Sequence, residues 1–396
     1  MANALFSTVN RISPVHISNQ YVTETIAPFM GMLVKGTTQG IRVYSDLDAV
    51  AEDFELYSPF WKKARAYFAA NGDASNLLAL TFAPGTLEAA PTPSNVTATP
   101  TKDGALIKAT EATSNGSELS ADAIGAVTAL KKYYFAGPQF WILAEFDDEV
   151  SHAISNFVEL QNTGVYVAYS TDATKLQTYA DNKKTQLLTL PEVDDSTVEM
   201  QDQYNNVFDA AYVGAMYGRK PHSATKYALG DLPYTQPQDR YEFTPDDQAE
   251  LDKYNIVTYA YVLDLPLLTS SRTAAENMHI DIILGWDWIQ NSINARVANL
   301  FVQNAKQGIP YSEVGFNSIA NAIKGVFIDA ADLDIIAPAV DANGLETGKP
   351  DYQVDFVQPG QLPKSYETKR EMRGVNTKYH PMGMVEDVYI ENTIVM

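Results

Sequence analysis

The sequence predicts an α/β fold, in which a three-layer α/β domain with a small surface insertion is followed by a C-terminal α+β domain and flanked by extended terminal arms. Three observations predict it. Short apolar runs alternate with helical patterns from residue 29 to residue 216, which is typical of a parallel sheet covered by helices on both faces. Two long helical patterns lie between residues 278 and 330. Both ends of the chain are polar and lack a helical period.

The first half of the chain supplies the sheet. Apolar runs bounded by turn residues predict buried strands at 29–34, 77–82, 140–144, 165–169 and 186–190. Apolar residues at helical spacing predict helices at 46–54, 59–71, 121–134, 147–158, 173–183 and 206–216. Ser45 and Ser58 suit the N-cap positions of the first two helices, because a serine hydroxyl accepts a hydrogen bond from a free backbone N–H. Gly72 is expected to end the second helix.

Residues 84–118 interrupt this alternation. The segment is rich in threonine, serine, proline and alanine, and only residues 105–109 alternate in the manner of a strand. This composition favours a surface loop over a packed domain. We therefore expect a surface insertion.

The second half predicts fewer strands and longer helices. Residues 217–255 are loop-rich and acidic, with a short helix at 246–254 and a strand after it at 256–263. The longest helix is expected at 278–306, and Ser312 is placed to cap the next one.

The last residues predict a strand with one buried face. Five of the seven alternate residues from Met384 to Met396 are apolar. We accordingly divide the chain into an N-terminal arm at 1–20, an α/β domain at 21–245, a C-terminal α+β assembly domain at 246–383 and a C-terminal arm at 384–396.

Composition excludes several classes of protein. The chain has no cysteine, so disulfides, thiolate nucleophiles and cysteine metal sites are excluded. Its 49 acidic and 28 basic residues give a net charge of −21, which opposes binding to nucleic acid phosphates. The first residues do not resemble a secretory leader, and we find no apolar run long enough to span a bilayer. We therefore expect neither nucleic acid nor direct membrane insertion.

No pattern of catalytic or ligand-binding residues emerges. The five histidines do not form an H-E-x-x-H motif. Gly31 to Thr37 resembles a phosphate-binding loop but lacks its lysine, and Asp341 to Glu346 has the wrong spacing for a calcium loop. The paired acids, such as Asp147-Asp148, lie at helix starts or in loops, where capping explains them. We expect no catalytic, cofactor or metal site, and hence no enzyme.

Two segments of opposite charge are candidates for an interface. Residues 362–378 hold five basic against two acidic side chains, whereas residues 231–253 hold seven acidic against two basic. Such patches set the register of assembling subunits when they face each other. The candidate residues are Lys369, Arg370, Arg373, Asp246 and Asp247. Two ordinary solvated loops are an equally good interpretation.

Three segments, taken in order, resemble the tail sheath proteins of contractile-tailed phages. The first is Arg42 to Val50 with Phe54, Ser58 to Phe60, Ala64, Tyr67, Phe68 and Leu77. The second is Ala210 to Gly214 with Pro221, Thr225 to Tyr227, Leu229, Gly230, Leu251, Tyr254, Asn255 and Tyr259. The third is Trp286 to Gln290 with Arg296, Asn299 to Phe301 and Gly308 to Gly315. Each is a packing pattern, and the ordered set carries the resemblance over most of residues 12–83 and 138–396.

The resemblance implies a structural virion protein. Sheath subunits form six-membered rings stacked helically around a rigid tail tube, and contraction triggered at the baseplate drives the tube through the host envelope. The implied partners are the chain itself, the tail tube protein, and the baseplate and neck or tail-terminator proteins. The implied location is the virion tail, assembled in the host cytoplasm.

The resemblance also implies that terminal arms add strands to neighbouring subunits. An isolated strand is unstable and must pair, and pairing across chains uses backbone hydrogen bonds for affinity and alternate side chains for register. Val388, Ile390 and Ile394 are the candidate strand-exchange residues. Two alternatives stay open: another structural protein of a virion or injection machine, and a cryptic soluble α/β enzyme, which would form a monomer or a small closed oligomer.

Overall fold

The computed structural model describes residues 29–72, 74–85, 119–161, 163–179, 181–192, 207–221, 223, 225–226, 229–239, 243–262 and 264–386. A seven-stranded sheet lies at its centre. Its strands are β1 (Met30–Lys35), β2 (Gly40–Tyr44), β3 (Leu77–Phe82), β4 (Phe140–Leu143), β5 (Val165–Ser170), β6 (Thr185–Thr189) and β7 (Ile256–Val257). Their spatial order is β2-β3-β1-β4-β5-β6-β7, and every pair is parallel except β2 with β3. The predicted α/β class is confirmed.

The helices follow the predicted spacing closely. They are α1 (Leu47–Ala51), α2 (Pro59–Asn71), α3 (Ala121–Tyr133), α4 (Asp148–Glu159), α5 (Phe208–Ala215), α6 (Pro245–Asp252), α7 (Ile280–Gln303), α8 (Glu313–Asp332) and α9 (Lys364–Thr368). The Ser58 hydroxyl caps α2 by accepting from the N–H of Trp61, and Gly72 ends the helix in the left-handed region, at φ 63°. The predicted Ser45 cap of α1 is wrong. Asp46 is the cap and accepts from the N–H of Ala49, while the Ser45 hydroxyl donates to Asp46.

The two faces of the sheet are covered by different helices. Alternate strand residues such as Met32 and Ile142 join one apolar core with α2 and α5. The residues between them, such as Leu33 and Trp141, join a second core with α3 and α4. This alternation is the two-residue period of a strand, read on both sides of the sheet.

The predicted helix at 173–183 is wrong. Only a short 3-10 turn forms, at Ala173–Leu176, and Asp181 takes a left-handed conformation at φ 56°. Side chains of α4 hold the chain that follows: the Asn182 amide donates to Ser155, and the N–H of Lys184 donates to Glu159. These bonds replace the helical ladder and return the chain to β6.

The predicted strand at 256–263 is divided between two sheets. Ile256 and Val257 form β7 beside β6, whereas β8 (Tyr259–Val262) pairs with β9 (Leu265–Leu268) in a separate hairpin. Thr258 lies between them and donates its hydroxyl to the carbonyl of Thr189. The apolar content of residues 256–263 did not reveal that they contribute strands to two different sheets.

Helix α7 connects the sheet to the C-terminal part of the chain. Its first turns, with Ile280 and Ile283, belong to the core shared with α2 and α5. Its later turns, with Ile289 and Ile293, pack with α8 in a third core. Residues on both sides of position 245 thus contribute to the central sheet and its cores, and the domain limits given above stay a prediction.

Asp287 links α7 to the sheet from within a fully buried position. Its carboxylate accepts from the N–H of Gly164, which precedes β5, at 2.7 Å. Burial raises the pKa of Asp287 to about 6, although Lys184, Gly164 and Gln139 each act to lower it. The acid therefore joins the helix to loops at the amino ends of the strands.

Two antiparallel strand pairs follow α8. One consists of β10 (Pro338–Val340) and β11 (Glu346–Pro350), and the other of β12 (Tyr352–Phe356) and β13 (Val375–Tyr379). Val354 of β12 is buried against α8, whereas every residue of β11 is exposed. None of the helices in the described ranges combines the length and apolar character needed to cross a bilayer.

Candidate assembly surfaces

The described histidines lie in hydrogen-bonded surroundings. His152 stacks on Tyr179 and its Nε2 lies 2.8 Å from the Thr178 hydroxyl, and His380 pairs with Asp351. His279 contacts Ser271 and Glu386, but both reach the same ring nitrogen, Nδ1. A catalytic triad uses opposite nitrogens of the ring, so this trio is not arranged as a proton relay. Within the described ranges, no group of three or more histidine or acidic side chains is placed to hold a metal ion.

Gly31, the first glycine of the near phosphate-binding loop, lies inside β1. A Cβ atom at this position would lie 2.5 Å from the Trp141 ring. The glycine therefore makes room for a buried tryptophan instead of presenting backbone N–H groups to a phosphate. An open polar depression of about 450 Å³ lies elsewhere, lined by residues that include Asp181, Asp252, Arg272 and Glu276.

The acidic candidates lie at the start of α6, and their roles differ. The Thr244 hydroxyl accepts from the N–H of Asp247, and the Asp247 carboxylate accepts from the N–H of Thr244 in return. Hydrogen bonds from Thr244 lower the pKa of Asp247. Asp247 therefore stabilises the helix start. Asp246 is exposed in the same turn.

The basic candidates lie just after α9. Arg373 binds Glu371 through its Nη2 at 2.9 Å and lies over the ring of Tyr366. Lys369 and Arg370 are exposed and form no ion pair within the part of the chain that the structure describes. Two of the three basic side chains are thus available to another molecule.

The structure does not bring the two charged segments together. In the described chain, Asp246 and Asp247 form no ion pair with the three basic candidates. Val388, Ile390 and Ile394 lie outside the described residues. Whether these eight residues form interfaces stays a prediction.

Exposed strand edges are the main surface feature that the sequence interpretation missed. β2 forms one edge of the central sheet and exposes Ile41 and Val43, at 42% and 52%. The β10–β11 hairpin leaves Val340 and Leu345 exposed beside its turn. The Asp341 carboxylate closes this turn by accepting from the N–H groups of Asn343 and Leu345. The Asn343-Gly344 pair was a recognisable hairpin signal.

Known structures resemble the chain over nearly its whole length. A chain of the contracted helical sheath of the anti-feeding prophage matches at a TM-score of 0.61 and 11% identity, with 99% of each chain covered. A chain of the six-fold symmetrised baseplate of the same prophage matches at 0.60 and 13% identity, with 100% of each covered. The sheath tail protein of Listeria innocua matches at 0.52 and 9% identity, over 90% of this chain and 96% of that one.

No family model matches the chain, and no curated protein matches it in sequence. At these low identities the structural similarity establishes the fold. The chain has the fold of contractile-tail sheath proteins, as its sequence pattern predicted.

Proposed function

We propose that this chain is the subunit of a contractile-tail sheath, a structural component of a tailed phage or a related injection machine. Its subunits form six-fold rings that stack around a tail tube, and contraction drives the tube through the host envelope. The observation that carries the proposal is the overlap with the helical sheath of the anti-feeding prophage, which covers 99% of both chains. Because the match covers almost all of both chains, it favours the same function for this chain.

In this proposal the partners are further copies of the chain, the tail tube protein, and the baseplate and neck or tail-terminator proteins. The protein is assembled in the host cytoplasm and is found in the virion tail. It has no catalytic role and needs no cofactor. The match to a chain of a baseplate structure supports a position beside the baseplate.

Strand exchange links the subunits. The C-terminal arm supplies Val388, Ile390 and Ile394 on one face of a strand, and a neighbour supplies a free strand edge. The β10–β11 hairpin supports this proposal, because a two-stranded hairpin with every residue of β11 exposed is marginal by itself. A third strand added to it satisfies backbone groups that water satisfies in the free subunit.

Charge sets the register of neighbouring subunits. Lys369, Arg370 and Arg373 of one copy face Asp246 and Asp247 of another. The exposure of Lys369, Arg370 and Asp246 supports this pairing, because exposed charges steer association without a large desolvation cost. If charge reversal at Asp246 leaves assembly unchanged, the two segments are ordinary solvated loops.

Contraction draws on energy stored at assembly. The extended sheath is metastable, and contraction exchanges weaker contacts between rings for a larger set. We expect purified tails to contract without nucleotide when they are triggered at the baseplate. A nucleotide requirement for contraction would contradict this mechanism.

Electron microscopy of the purified protein tests the proposal. We expect the full chain to form tubes or stacked six-fold rings in negative stain, and a chain lacking residues 387–396 to form neither. This truncation retains Glu386, which contacts its own subunit. A matched pair of variants separates the arm's two faces: Ile390→Glu is expected to abolish the tubes, whereas Thr393→Glu adds the same charge to the opposite face and is expected to retain them.

Two other outcomes identify the alternatives. Single six-fold rings that never stack indicate a baseplate-proximal component, which the baseplate match favours as second candidate. Small discrete particles under all salt conditions contradict both structural proposals. They favour a soluble enzyme, for which a substrate screen is the next experiment.

A further inference from the structure

The chain that leads into the C-terminal arm forms a strap across the ends of two long helices. After β13, residues 380–382 run beside residues 335–337, which follow α8. The N–H of Ala337 donates to the carbonyl of His380, and the N–H of Met382 donates to that of Ile335, each at 2.9 Å. The strap therefore returns from β13 towards the start of α7.

At the end of the strap, Glu386 is held by residues that flank the start of α7. Its carboxylate accepts from the hydroxyl and the N–H of Ser271, the latter at 3.4 Å. It also lies 3.4 Å from His279 Nδ1, and this nitrogen is 3.0 Å from the Ser271 hydroxyl. The N–H of Met384 faces the Asp281 carboxylate in the first turn of the helix.

The burial of Glu386 shows that the contact is specific. Its side chain is 10% exposed, whereas its neighbour Val385 is 76% exposed. A carboxylate loses hydration when it is buried, and it needs hydrogen-bond donors to compensate. Ser271 and His279 supply them, 115 and 107 positions earlier in the chain.

We propose that Glu386 and the Ser271–His279 pair form a protonation-dependent latch, which holds residues 383–386 against the start of α7. With the latch closed, Glu386 lies beside the first turn of α7. With the latch open, the strap is held only as far as Met382, which remains paired to Ile335.

Charged groups around His279 give the latch its pH dependence. Glu386, Asp281 and Arg272 face the imidazole. The hydrogen bond with Glu386 raises the pKa of His279, and burial opposes this effect. Burial raises the pKa of Glu386, but hydrogen bonds from His279 and Ser271 outweigh it and leave that pKa below its usual value. Burial raises the pKa of Asp281.

The direction of the pH response follows from these shifts. A base whose pKa is raised in the closed state favours that state at low pH, and it loses this effect as the pH rises through the raised value. An acid whose pKa is lowered favours closure until the pH falls through the lowered value. The latch is therefore tightest in mildly acidic solution, with His279 protonated and Glu386 ionised, and it loosens as the pH rises.

A spin label tests the latch in the full chain. The protein has no cysteine, so Val385→Cys provides a unique attachment point on an exposed side chain. We expect the electron paramagnetic resonance spectrum of unassembled subunits to be mainly immobile at about pH 6 and to gain a mobile fraction towards about pH 8.5. Because the lost hydrogen bonds are charge-assisted, we expect Glu386→Gln to lower the immobile-to-mobile ratio about tenfold at the lower pH. Its spectrum should then be independent of pH.

Glu367→Gln is the matched control, because it removes the same charge from an exposed position in the same region. It is expected to leave the spectrum and its pH response unchanged. If the spectrum of the labelled Val385→Cys protein does not change with pH, or if Glu386→Gln and Glu367→Gln in that background behave alike, the latch is overturned. The titration of the labelled Val385→Cys protein leaves Ser271, His279 and Glu386 unchanged, so it decides the question even if Glu386→Gln impairs folding.

The latch belongs to the single subunit, and only its use in directing the arm towards a neighbour rests on the proposed function. Electron microscopy of the same variants separates the two. Tubes together with pH-independent spectra overturn the latch alone. The expected spectra without tubes under any condition overturn the proposed function alone.

Discussion

β5 and β11 are strands of similar length with opposite surroundings. All six residues of β5 are buried between β4, β6 and the two helical layers. All five residues of β11 are exposed, and its one partner strand in the described structure is β10. The inner strands of the central sheet thus complete their hydrogen bonding and packing within the chain, whereas the C-terminal hairpin leaves an edge for another molecule. Substitutions in the first region should affect folding, and substitutions in the second should affect assembly.

The largest effect on stability is expected at the buried ion pair beside the sheet. Lys63 Nζ lies 2.6 Å from both Asp209 and the carbonyl of Leu143, and both charged side chains are almost fully buried. Because Asp209→Ala leaves a buried ammonium without its partner, we expect it to lower the free energy of unfolding by about 3–5 kcal/mol. Urea denaturation of unassembled subunits measures the loss. Asp246→Ala, on the exposed start of α6, is the control and should change stability by less than about 0.5 kcal/mol.

The next largest effect on the free energy of unfolding is expected from substitution of Asp287, and this effect depends on pH. Its folded pKa of about 6 lies well above the usual value of an aspartate carboxyl. Its contribution to stability is therefore fully present below the unfolded pKa and is lost as the pH rises through about 6. We expect the stability difference between wild type and Asp287→Asn to change by up to about 3 kcal/mol between about pH 4 and pH 7. A difference that stays constant across this range would contradict the assignment.

A smaller effect on folding, with a large effect on assembly, is expected at the hairpin. Leu345 is 66% exposed beside the β10–β11 turn, and Leu160 is 71% exposed at the end of α4. Both Leu→Ser variants should change subunit stability by less than about 0.5 kcal/mol. Only Leu345→Ser should raise the concentration needed for tube formation, by about tenfold, as measured by sedimentation. If Leu345→Ser and Leu160→Ser weaken assembly equally, the β10–β11 hairpin is not a specific assembly surface.

The smallest effect is expected from salt. With a net charge of −21, identical subunits repel one another, and added salt or divalent cation screens this repulsion beyond about 8–10 Å. We expect moderate salt to promote assembly, which light scattering follows directly. A steady weakening of assembly with salt would instead show that the complementary charged segments dominate over net repulsion.

The sequence was most informative where burial was complete. The five apolar runs all became strands of the central sheet, because a buried strand must be apolar on both faces. β2 was missed because its middle residues are exposed at an edge and do not form an apolar run. The segment 173–183 has the composition of a helix, but tertiary bonds from α4 gave it another path.

The surfaces were only partly predictable. Composition located the charged segments, and capping was the expected role of the paired acids, which Asp247 fulfils in the capping box of α6. Composition did not reveal that Arg373 binds Glu371. The Ser271–His279–Glu386 trio had no local signal, because its third member comes more than one hundred positions after the other two. Contacts between distant segments depend on the folded path of the chain.

The continuity of α7 has a mechanical consequence. Its 24 residues form a rod about 36 Å long, one end fixed in the core of the sheet and the other packed on α8. Each half of this helix is about 18 Å long, so a tilt of about 10° around its midpoint moves each end by about 3 Å. Asp287, near the sheet end, opposes such a tilt by holding the rod to the strand loops. A displacement of the strand pairs after α8 is therefore transmitted along α7 to the sheet, because no loop interrupts the helix between the two cores.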